Sequence, residues 1–253
     1  MIEINNVHKS FDGEEIIHGI SAKFYNGQLN HIIGKSGSGK TVLMKSIIGL
    51  YRINEGQINY DGRNLAGMHL KEIKHIRQEV GALFQGSALL DFLSVLENVK
   101  FPLRMFSGMT ELEIEQRAKR CLQRVNLDQK SYNLSPDEIS GGMQKRVAIA
   151  RAIVFSPKYL FCDEPNSGLD PETSLVIDNL IEDITVEHQI TTIVNTHDMN
   201  SILYTQGYIN MIQKGTLVWS GTNTEVFKTE NKEVNDLVFA SELFKNIKAN
   251  YNK

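Results

Sequence analysis

Residues 30–50 read NHIIGKSGSGKTVLMKSIIGL, and this stretch decides the fold. Two apolar residues, Ile32 and Ile33, lead into a glycine-rich loop, and a helical pattern follows from Thr41 to Leu50. Glycine lets a backbone wrap closely and aim its N–H groups at one point. The dipole of the helix that starts there also favours an anion. The order of strand, loop and helix therefore predicts a phosphate site at the end of a strand.

The loop at residues 34–41 matches the pattern G-x-x-x-x-G-K-[ST] in full. We expect Lys40 to bring a positive charge to the β- and γ-phosphates of a nucleotide, and the Thr41 hydroxyl to coordinate Mg²⁺. An accidental glycine-rich turn is the alternative, and the flanking strand and helix disfavour it. The predicted nucleotide contacts of this loop are Gly34, Lys35, Ser36, Gly37, Ser38, Gly39, Lys40, Thr41 and Val42.

The composition is that of an ordinary soluble globular protein. The 253 residues carry a formal net charge of -3, with 23% charged and 41% hydrophobic residues. This balance argues against a nucleic-acid binder that works by bulk electrostatics. Cys121 and Cys162 lie in apolar surroundings, which favours a reducing cytoplasm over a disulfide framework. We find neither a signal peptide nor an apolar run of roughly 18 residues, the length of a membrane span.

The rest of the chain alternates between patterns typical of strands and of helices. Ile2, Ile4, Val7 and Phe11 open the chain with a period near two, which predicts a strand. The pattern becomes helical from Leu93 to Phe155. Short apolar runs at 158–162 and 191–195 are typical of central strands in a parallel sheet, and Lys214–Gly215 is typical of a hairpin turn.

Polar side chains follow several of these predicted strands. Asp163 and Glu164 end the run at 158–162, where the carboxyl ends of parallel strands face a ligand crevice. Asp163 fits a second Mg²⁺ anchor, and Glu164 fits the general base for an attacking water. His197 can reach a γ-phosphate, and the Gln85 amide can contact Mg²⁺ and the water. Each residue taken alone also fits an ordinary polar residue at a strand end.

A second glycine-rich helix start occurs in PDEISGGMQKRVAIARA, residues 136–152. Ser140, Gly141 and Gly142 leave backbone N–H groups uncovered at this start, which attracts an anion. We predict that the anion is the γ-phosphate of an ATP bound to a second copy of the chain, so that the site forms only in a dimer. The alternative is a helix cap without a ligand.

Together these motifs make the chain resemble ABC-type ATPase subunits over nearly its whole length. The resemblance rests on the loop at 34–41, Gln85, ISGGM at 139–143, CDEP at 162–165, SGLD at 167–170 and His197. It implies two ATP molecules, with Mg²⁺, sandwiched between two head-to-tail subunits. Phe11 matches the aromatic position that stacks on adenine, and Asp170 matches the loop that crosses between subunits. The family's signature motif is ISGGM at 139–143 in this chain, and Met143 departs from its usual glutamine. Asn166 replaces a common threonine.

The same resemblance implies the fold class and the domain boundaries. The fold is α/β, with a P-loop NTPase (RecA-like) core, an N-terminal antiparallel β subdomain and an inserted α-helical subdomain. We assign residues 1–230 to the nucleotide-binding domain, with the helical subdomain at about 87–156, and residues 231–253 to a C-terminal helical tail.

One branch of the family is the most similar. LFQGSALLDFLSVLENVKFPL at 83–103, ISGGM with the basic residues after it, and EPNSGLDP resemble the MlaF-like ATPases of Mce/Mla-type phospholipid transporters. This resemblance implies an integral permease docking near residues 86–103, an Mce-type lipid-binding protein, a small accessory subunit, and a peripheral location on the cytoplasmic side of the inner membrane. The alternatives are an importer ATPase for amino acids or metals, a soluble ABC ATPase without a transporter, and a regulatory module without turnover.

For two apolar segments, the sequence leaves more than one packing partner open. The first is either a groove for a permease helix or part of the helical subdomain's own core, and it comprises Leu89, Leu90, Phe92, Leu93, Leu96, Val99 and Phe101. The second is a predicted single helix in the tail, with a stripe of Val234, Leu237, Val238, Phe244 and Ile247. That stripe packs on its own domain, on the second subunit, or on an accessory protein.

Overall fold

A computed structural model describes residues 1–251 of the chain and divides it into two compact units. The first unit comprises Met1–His69 together with the chain from Thr191 onward, and the second unit spans Leu70–Ile190. Both units contain strands and helices, in agreement with the predicted α/β class.

The first unit opens with an antiparallel sheet. Its strand order is β2-β1-β4-β5, with β1 at Ile2–Phe11, β2 at Glu14–Phe24, β4 at Glu55–Tyr60 and β5 at Arg63–Asn64. Ile2, Ile4 and Val7 are buried, so the predicted apolar face of β1 is confirmed. The period shifts after Ile4 because Asn6 adopts a positive φ of 47°, and the pairing with β2 slips between Ile4 and Val7.

The second sheet of this unit positions the phosphate loop. Its strands are β3 at Gln28–Ile33, β8 at Thr191–Thr196, β9 at Gly207–Gln213 and β10 at Thr216–Thr222. Strand β3 pairs in parallel with both β8 and β9, and β10 pairs with β9 as the predicted hairpin. Ile33 lies opposite Thr196 in this register, so β3 and β8 end side by side.

Five α-helices and a 3₁₀ helix at Leu65–Gly67 among residues 1–69 and 191–251 complete the first unit. The α-helices are α1 at Lys40–Ile47, α7 at Met199–Tyr204, α8 at Asn223–Lys228, α9 at Lys232–Val238 and α10 at Glu242–Tyr251. Helix α1 is shorter than the predicted 41–50, because Gly49 takes a left-handed φ of 80° and ends it.

The predicted single tail helix is wrong, since α9 and α10 are separate. The chain turns inward at Phe239, which is buried and lies 5.6 Å from Phe227 between ring centroids. Val234 and Val238 are fully buried in the unit's own core, whereas Ile247 on α10 is exposed. The own-domain alternative therefore holds for α9. Residues 252 and 253 of the predicted tail lie outside the described residues.

The second unit combines two parallel strands with helices. They are α2 at Leu70–Gln78, β6 at Val80–Leu83, α3 at Val95–Phe106, α4 at Glu111–Arg124, α5 at Gly141–Ile153, β7 at Tyr159–Asp163 and α6 at Pro171–Glu187. The helical pattern of 93–155 thus resolves into three α-helices and two short 3₁₀ helices, at Gln129–Ser131 and Pro136–Glu138. Helix α4 begins with a full capping box between Thr110 and Glu113.

Helix α3 divides its apolar residues between the core and the surface. Val95, Val99 and Leu103 are buried, whereas Phe92 before the helix is 81% exposed and Phe101 is 41% exposed. The core alternative therefore holds for Val99, whereas Leu89, Leu90, Leu93 and Leu96 are half-buried, and the permease groove stays a prediction. The exposed apolar surface continues past the predicted limit at residue 103, through Met105, Phe106 and Met109.

Two further expectations concern membranes and disulfides. Among residues 1–251, the structure contains no helix with the length and apolarity that crossing a bilayer requires. Cys121 and Cys162 are both free thiols and both buried, as expected. Burial raises the pKa of the Cys162 thiol, so this cysteine is held neutral.

Candidate nucleotide site

The phosphate loop follows β3 and its backbone depends on glycine at two places. A Cβ at Gly34 would lie 2.2 Å from the carbonyl oxygen of Ile212, so no larger residue fits. Gly39 caps α1 in the left-handed region at φ 101°, without a side-chain cap. The first i to i−4 bond of α1 runs from the Leu43 N–H to the Gly39 oxygen. The amides of the turn before it point out of the helix's amino end.

Lys40 folds back across the loop that it belongs to. Its ammonium donates to the carbonyl oxygens of Gly34 at 2.9 Å and Lys35 at 3.3 Å, and the residue is buried. The Ser38 hydroxyl is buried within the same loop and has no hydrogen-bond partner among the described residues. An unpartnered hydroxyl, a buried ammonium and a glycine cradle together fit a phosphate chain.

His197 lies beside this loop. It follows Thr196, the last residue of β8, and Thr196 pairs with Ile33 immediately before the loop. The Thr196 hydroxyl accepts from the Asp198 N–H at 2.9 Å, and Asp198 caps α7. These bonds fix the turn that carries His197, whose side chain is exposed. His197 therefore follows the end of the strand that pairs with β3, within the first unit, and its reach to a γ-phosphate stays a prediction.

The predicted adenine-stacking residue, Phe11, has two neighbours that the sequence did not reveal. Its ring meets Tyr51 edge-on, with centroids 5.2 Å apart, and the Lys9 ammonium lies 4.4 Å from its centroid. Tyr51 follows α1 and is 40 residues away in the sequence, so only the tertiary structure brings the pair together. Phe11 remains 38% exposed.

In the second unit, three predicted residues lie at or just after the ends of two paired strands. Strands β6 and β7 pair in parallel with Leu83 opposite Cys162. Gln85 follows β6 by two residues, while Asp163 ends β7 and Glu164 comes next. Asp163 is buried, whereas Gln85 is exposed. This register confirms that the acidic pair and the glutamine share one edge of the strand pair.

Glu164 has a strained backbone. Its φ of 51° places a non-glycine residue in the left-handed region, and its carbonyl accepts from the Ser167 N–H at 3.2 Å. The turn after it is anchored by Asn166, which donates to the buried Asp178 carboxylate at 2.8 Å. Asn166 thus holds the turn that orients Glu164, a role that its position in the sequence did not show.

The signature residues begin α5 and open onto a cleft of about 350 Å³. Ser140 caps the helix by accepting from the Met143 N–H at 3.3 Å. Ser140 and Gly141 are exposed, and a Cβ at Gly142 would lie 2.6 Å from the Thr173 methyl group. The cleft is lined by Ser140, Gly141, Gly142, Met143, Arg146, Gly168, Leu169, Asp170 and Thr173.

Asp170 lies in this same cleft, so the structure joins the two elements predicted to reach a second subunit. Its carboxylate accepts from the Thr173 hydroxyl at 2.6 Å and from the Thr173 N–H at 2.9 Å, which caps α6. These bonds hold the pKa of Asp170 below its usual value. Asp163 and Glu164 do not line the cleft. Arg146 and Thr173 do, and the sequence motifs did not identify them.

The donor set for Mg²⁺ is small. Residues 1–251 contain no cluster of three or more histidine, cysteine or acidic side chains that could hold a metal by itself. The predicted ligands are the Thr41 hydroxyl, the Asp163 carboxylate and the Gln85 amide. Each of them offers an oxygen atom, the ligand type that Mg²⁺ prefers beside waters and phosphate oxygens.

Comparison with known proteins agrees with this description. A model of the ABC transporter family matches residues 17–167. A methionine import ATP-binding protein, MetN, of Clostridioides difficile is 35% identical over 94% of this chain and 74% of its own length. A probable ribonucleotide transport ATP-binding protein, mkl, of Mycobacterium leprae is 37% identical over 92% of this chain and 67% of its own.

Solved structures give the same result at the level of the fold. The dimeric structure of MJ0796, a bacterial ABC transporter cassette, superposes with a TM-score of 0.80 at 30% identity. It covers 88% of this chain and 99% of its own. The cbiO1 protein of Clostridium perfringens, part of the transporter complex cbiONQ, superposes with a TM-score of 0.82 at 28% identity over 100% of this chain and 98% of its own.

Proposed function

The chain belongs to the ABC transporter family and is the ATP-hydrolysing, Mg²⁺-dependent subunit of a transporter, and we propose that it works as half of a head-to-tail dimer that drives a phospholipid permease. Residues 1–230 form the nucleotide-binding domain in this proposal, with the helical subdomain inserted at about 87–156. Residues from 231 onward form an extension whose first helix, α9, packs on the first unit.

ATP binding belongs to the phosphate loop. Lys40 exchanges its bonds to the Gly34 and Lys35 carbonyls for phosphate oxygens, so its charge is already in place. The Thr41 hydroxyl coordinates Mg²⁺, and Phe11 offers a π-face to the adenine. The observation that supports this function best is the buried Lys40 ammonium inside a glycine loop that ends a parallel strand.

Hydrolysis belongs to the strand ends. We assign the general base to Glu164, which takes a proton from the attacking water, while Asp163 and Gln85 complete the Mg²⁺ coordination. His197 donates a hydrogen bond to the γ-phosphate. The left-handed backbone of Glu164 supports its assignment, because strain of this kind clusters at functional sites.

The signature cleft supplies the second half of each ATP site in the partner subunit. Ser140 and Gly141 are exposed and begin a 13-residue helix, so their N–H groups and the helix dipole face outward. Asp170 in the same cleft contacts the partner as well. The Met143 N–H already donates to the Ser140 hydroxyl at 3.3 Å, and the methionine side chain adds no polar group to this arrangement.

The exposed apolar surface around α3 is the permease docking surface in this proposal. Phe101 and Met105 are one helical turn apart and lie on the same face of α3. Phe92 adds an exposed ring at the amino side of the helix. Large apolar side chains left exposed together indicate an interaction site, and a coupling helix of a permease fits its size.

Phospholipid is the proposed cargo because residues 83–103, the signature and the 164–171 turn resemble the Mce/Mla branch. An Mce-type protein and a small accessory subunit complete the complex, at the cytoplasmic face of the inner membrane. Methionine or another amino acid is the second candidate, since the MetN relatives are named for methionine import.

The test is to purify the chain with its native permease and to identify what accompanies it. We expect an Mce-type protein and bound phospholipid, and ATP turnover that rises when the complex is placed in phospholipid vesicles. The Phe92→Ser and Phe101→Ser variants should recover less permease at unchanged ATP affinity. Glu115→Gln on α4, whose side chain is partly exposed and pairs with Lys119, is the control. Turnover that responds only to an amino acid with its carrier protein would establish the second candidate instead.

A further inference from the structure

The loop that carries Gln85 is strained over three consecutive residues. Gly86, Ser87 and Ala88 have φ angles of 81°, 63° and 48°, all in the left-handed region. Ser87 and Ala88 are not glycine, so each adopts a left-handed backbone conformation that such residues rarely take and that carries strain. Two tight local bonds, from the Ser87 N–H to the Phe84 oxygen and from the Ala88 N–H to the Gly86 oxygen, accompany this turn. Backbone of this kind persists only where its surroundings hold it.

Arg151 of helix α5 holds this segment. Its guanidinium donates to the Ser87 carbonyl at 2.9 Å and to the Ala88 carbonyl at 2.8 Å, although the residues are more than 60 positions apart. Ser87 is buried, and Arg151 is partly buried. A planar fork that reaches two successive carbonyls fixes their orientation as well as their distance.

The same end of α5 is pressed against the strand that leads into the loop. A Cβ at Gly81 in β6 would lie 2.4 Å from the carbonyl oxygen of Ala152, the residue after Arg151. The backbone of α5 and that of β6 therefore touch directly. Helix α5 contacts strand β6 at Ala152 and the loop after β6 at Arg151. A shift of α5 therefore moves the strand and the loop with it.

A second residue, Asn98, also holds the loop, but it comes from the helix that directly follows the loop in the sequence. Asn98 of α3 is fully buried and binds Leu90 twice, accepting from its N–H at 2.8 Å and donating to its oxygen at 3.1 Å. Asn98 thus joins the far end of the loop to the helix that directly follows it. Arg151 instead joins the near end, next to Gln85, to the helix that starts at Ser140.

We propose that Arg151 is a positioning residue that couples the signature to Gln85 through helix α5. The signature begins α5 and Arg151 lies ten residues later, about 15 Å along the helix at 1.5 Å per residue. A displacement of the signature on contact with a partner's ATP is carried along this helix to the Gln85 loop. The inference rests on the proposed function, because it gives Gln85 its role in hydrolysis.

The first measurement follows the loop itself. In the full-length chain, Arg151→Lys and Arg151→Met should raise hydrogen exchange of the amides at 86–90, because one ammonium or none cannot hold both carbonyls. Arg117→Lys is the matched control, since Arg117 donates to the Val154 carbonyl at 2.9 Å but does not touch the loop. Exchange at 86–90 that equals the wild-type rate in Arg151→Lys overturns the proposal. The lysine variant decides the test if Arg151→Met does not fold.

The second measurement tests whether Arg151 acts through Gln85. Arg151→Lys should lower kcat about tenfold with little change in KM, as expected when a reacting group is misplaced rather than removed. In a Gln85→Ala background the same substitution should lower kcat no further. Losses that multiply fully in the double variant contradict the proposal, because they mean that Arg151 acts independently of Gln85. Wild-type turnover in Gln85→Ala alone would overturn the role of Gln85 in hydrolysis. The hydrogen exchange at 86–90 would then still show whether Arg151 holds the loop.

Discussion

Two helices of this protein begin with glycines, and their amino ends are built in opposite ways. At α1 the cap is Gly39 without a side-chain bond, and the next residue, Lys40, is buried with its ammonium inside the loop. At α5 the cap is Ser140, whose hydroxyl already accepts from the Met143 N–H, and the residue is exposed. Both ends attract an anion through the helix dipole, and at α1 a buried ammonium also lies in the loop, bonded to the Gly34 and Lys35 carbonyls.

The difference indicates which ligand each end can hold. The start of α1 has the charge, the unpartnered Ser38 hydroxyl and the cradle for a phosphate chain within one loop. The start of α5 is an open cleft shared with Asp170, which itself is occupied in capping α6. We therefore infer that α1 binds ATP in the same chain, whereas α5 completes the ATP site of a second copy.

The largest expected effect is a loss of ATP hydrolysis at Glu164, a residue that belongs to neither helix start. Glu164→Gln should lower kcat by about 10²–10⁴, the contribution of a general base, while ATP affinity is retained. ATP should then hold two chains together as a long-lived dimer, measurable by size-exclusion chromatography with and without Mg²⁺-ATP. Normal turnover in the assembled complex would place the base elsewhere. Glu172→Gln, an acidic position in the first turn of α6, is the matched control.

The next effect concerns binding at α1. Lys40→Ala removes a charge-assisted contact worth about 1.5–3 kcal/mol, so the Kd for ATP should rise roughly 10- to 150-fold. Calorimetry on the single chain measures this directly. An unchanged Kd would mean that Lys40 does not bind the phosphates. The start of α1 would then no longer differ from the start of α5 by a charge that binds ATP. Lys45→Ala, later on the same helix, should bind ATP as the wild type does.

The smallest effect concerns the cap of α5. Ser140→Ala removes the bond to the Met143 N–H and should lower the free energy of unfolding by about 0.5–2 kcal/mol. The Kd for ATP in a single chain should stay the same. Chemical denaturation and calorimetry report the two quantities separately. A rise in the single-chain Kd would mean that the signature contributes to binding in its own chain.

The parts of this account that the sequence predicted are those that depend on neighbouring residues. The phosphate loop and the hairpin at Lys214 each lie within a few residues, where backbone preferences decide the structure. Strand ends were also predictable, because parallel strands place their carboxyl ends at one edge. This is why Asp163, Glu164 and Gln85 were identified before their register was known.

Contacts between segments that are distant in the sequence could not be predicted in this way. Tyr51 at Phe11, Thr173 in the signature cleft and Arg151 on the Ser87 carbonyl all depend on tertiary packing. The tail gives a case where local reasoning was wrong: an apolar stripe with regular spacing predicted one helix. Burial of Phe239 in the unit's core turned the chain instead and split it into α9 and α10.

The most direct test of the composite site is to mix two inactive variants. Lys40→Ala disables the loop of its own chain, and Ser140→Arg fills the space of the partner's γ-phosphate. In a mixed head-to-tail dimer, one site combines both defects and the other combines the intact loop with the intact signature. At an ATP concentration that saturates the wild type but lies below the raised Kd of Lys40→Ala, neither variant alone should hydrolyse ATP, and hydrolysis should return on mixing. A mixture of the wild type with the Lys40→Ala/Ser140→Arg double variant gives no intact site in mixed dimers and serves as the control. Confirmed mixed dimers that stay inactive would contradict the assignment of Ser140 to the partner's ATP.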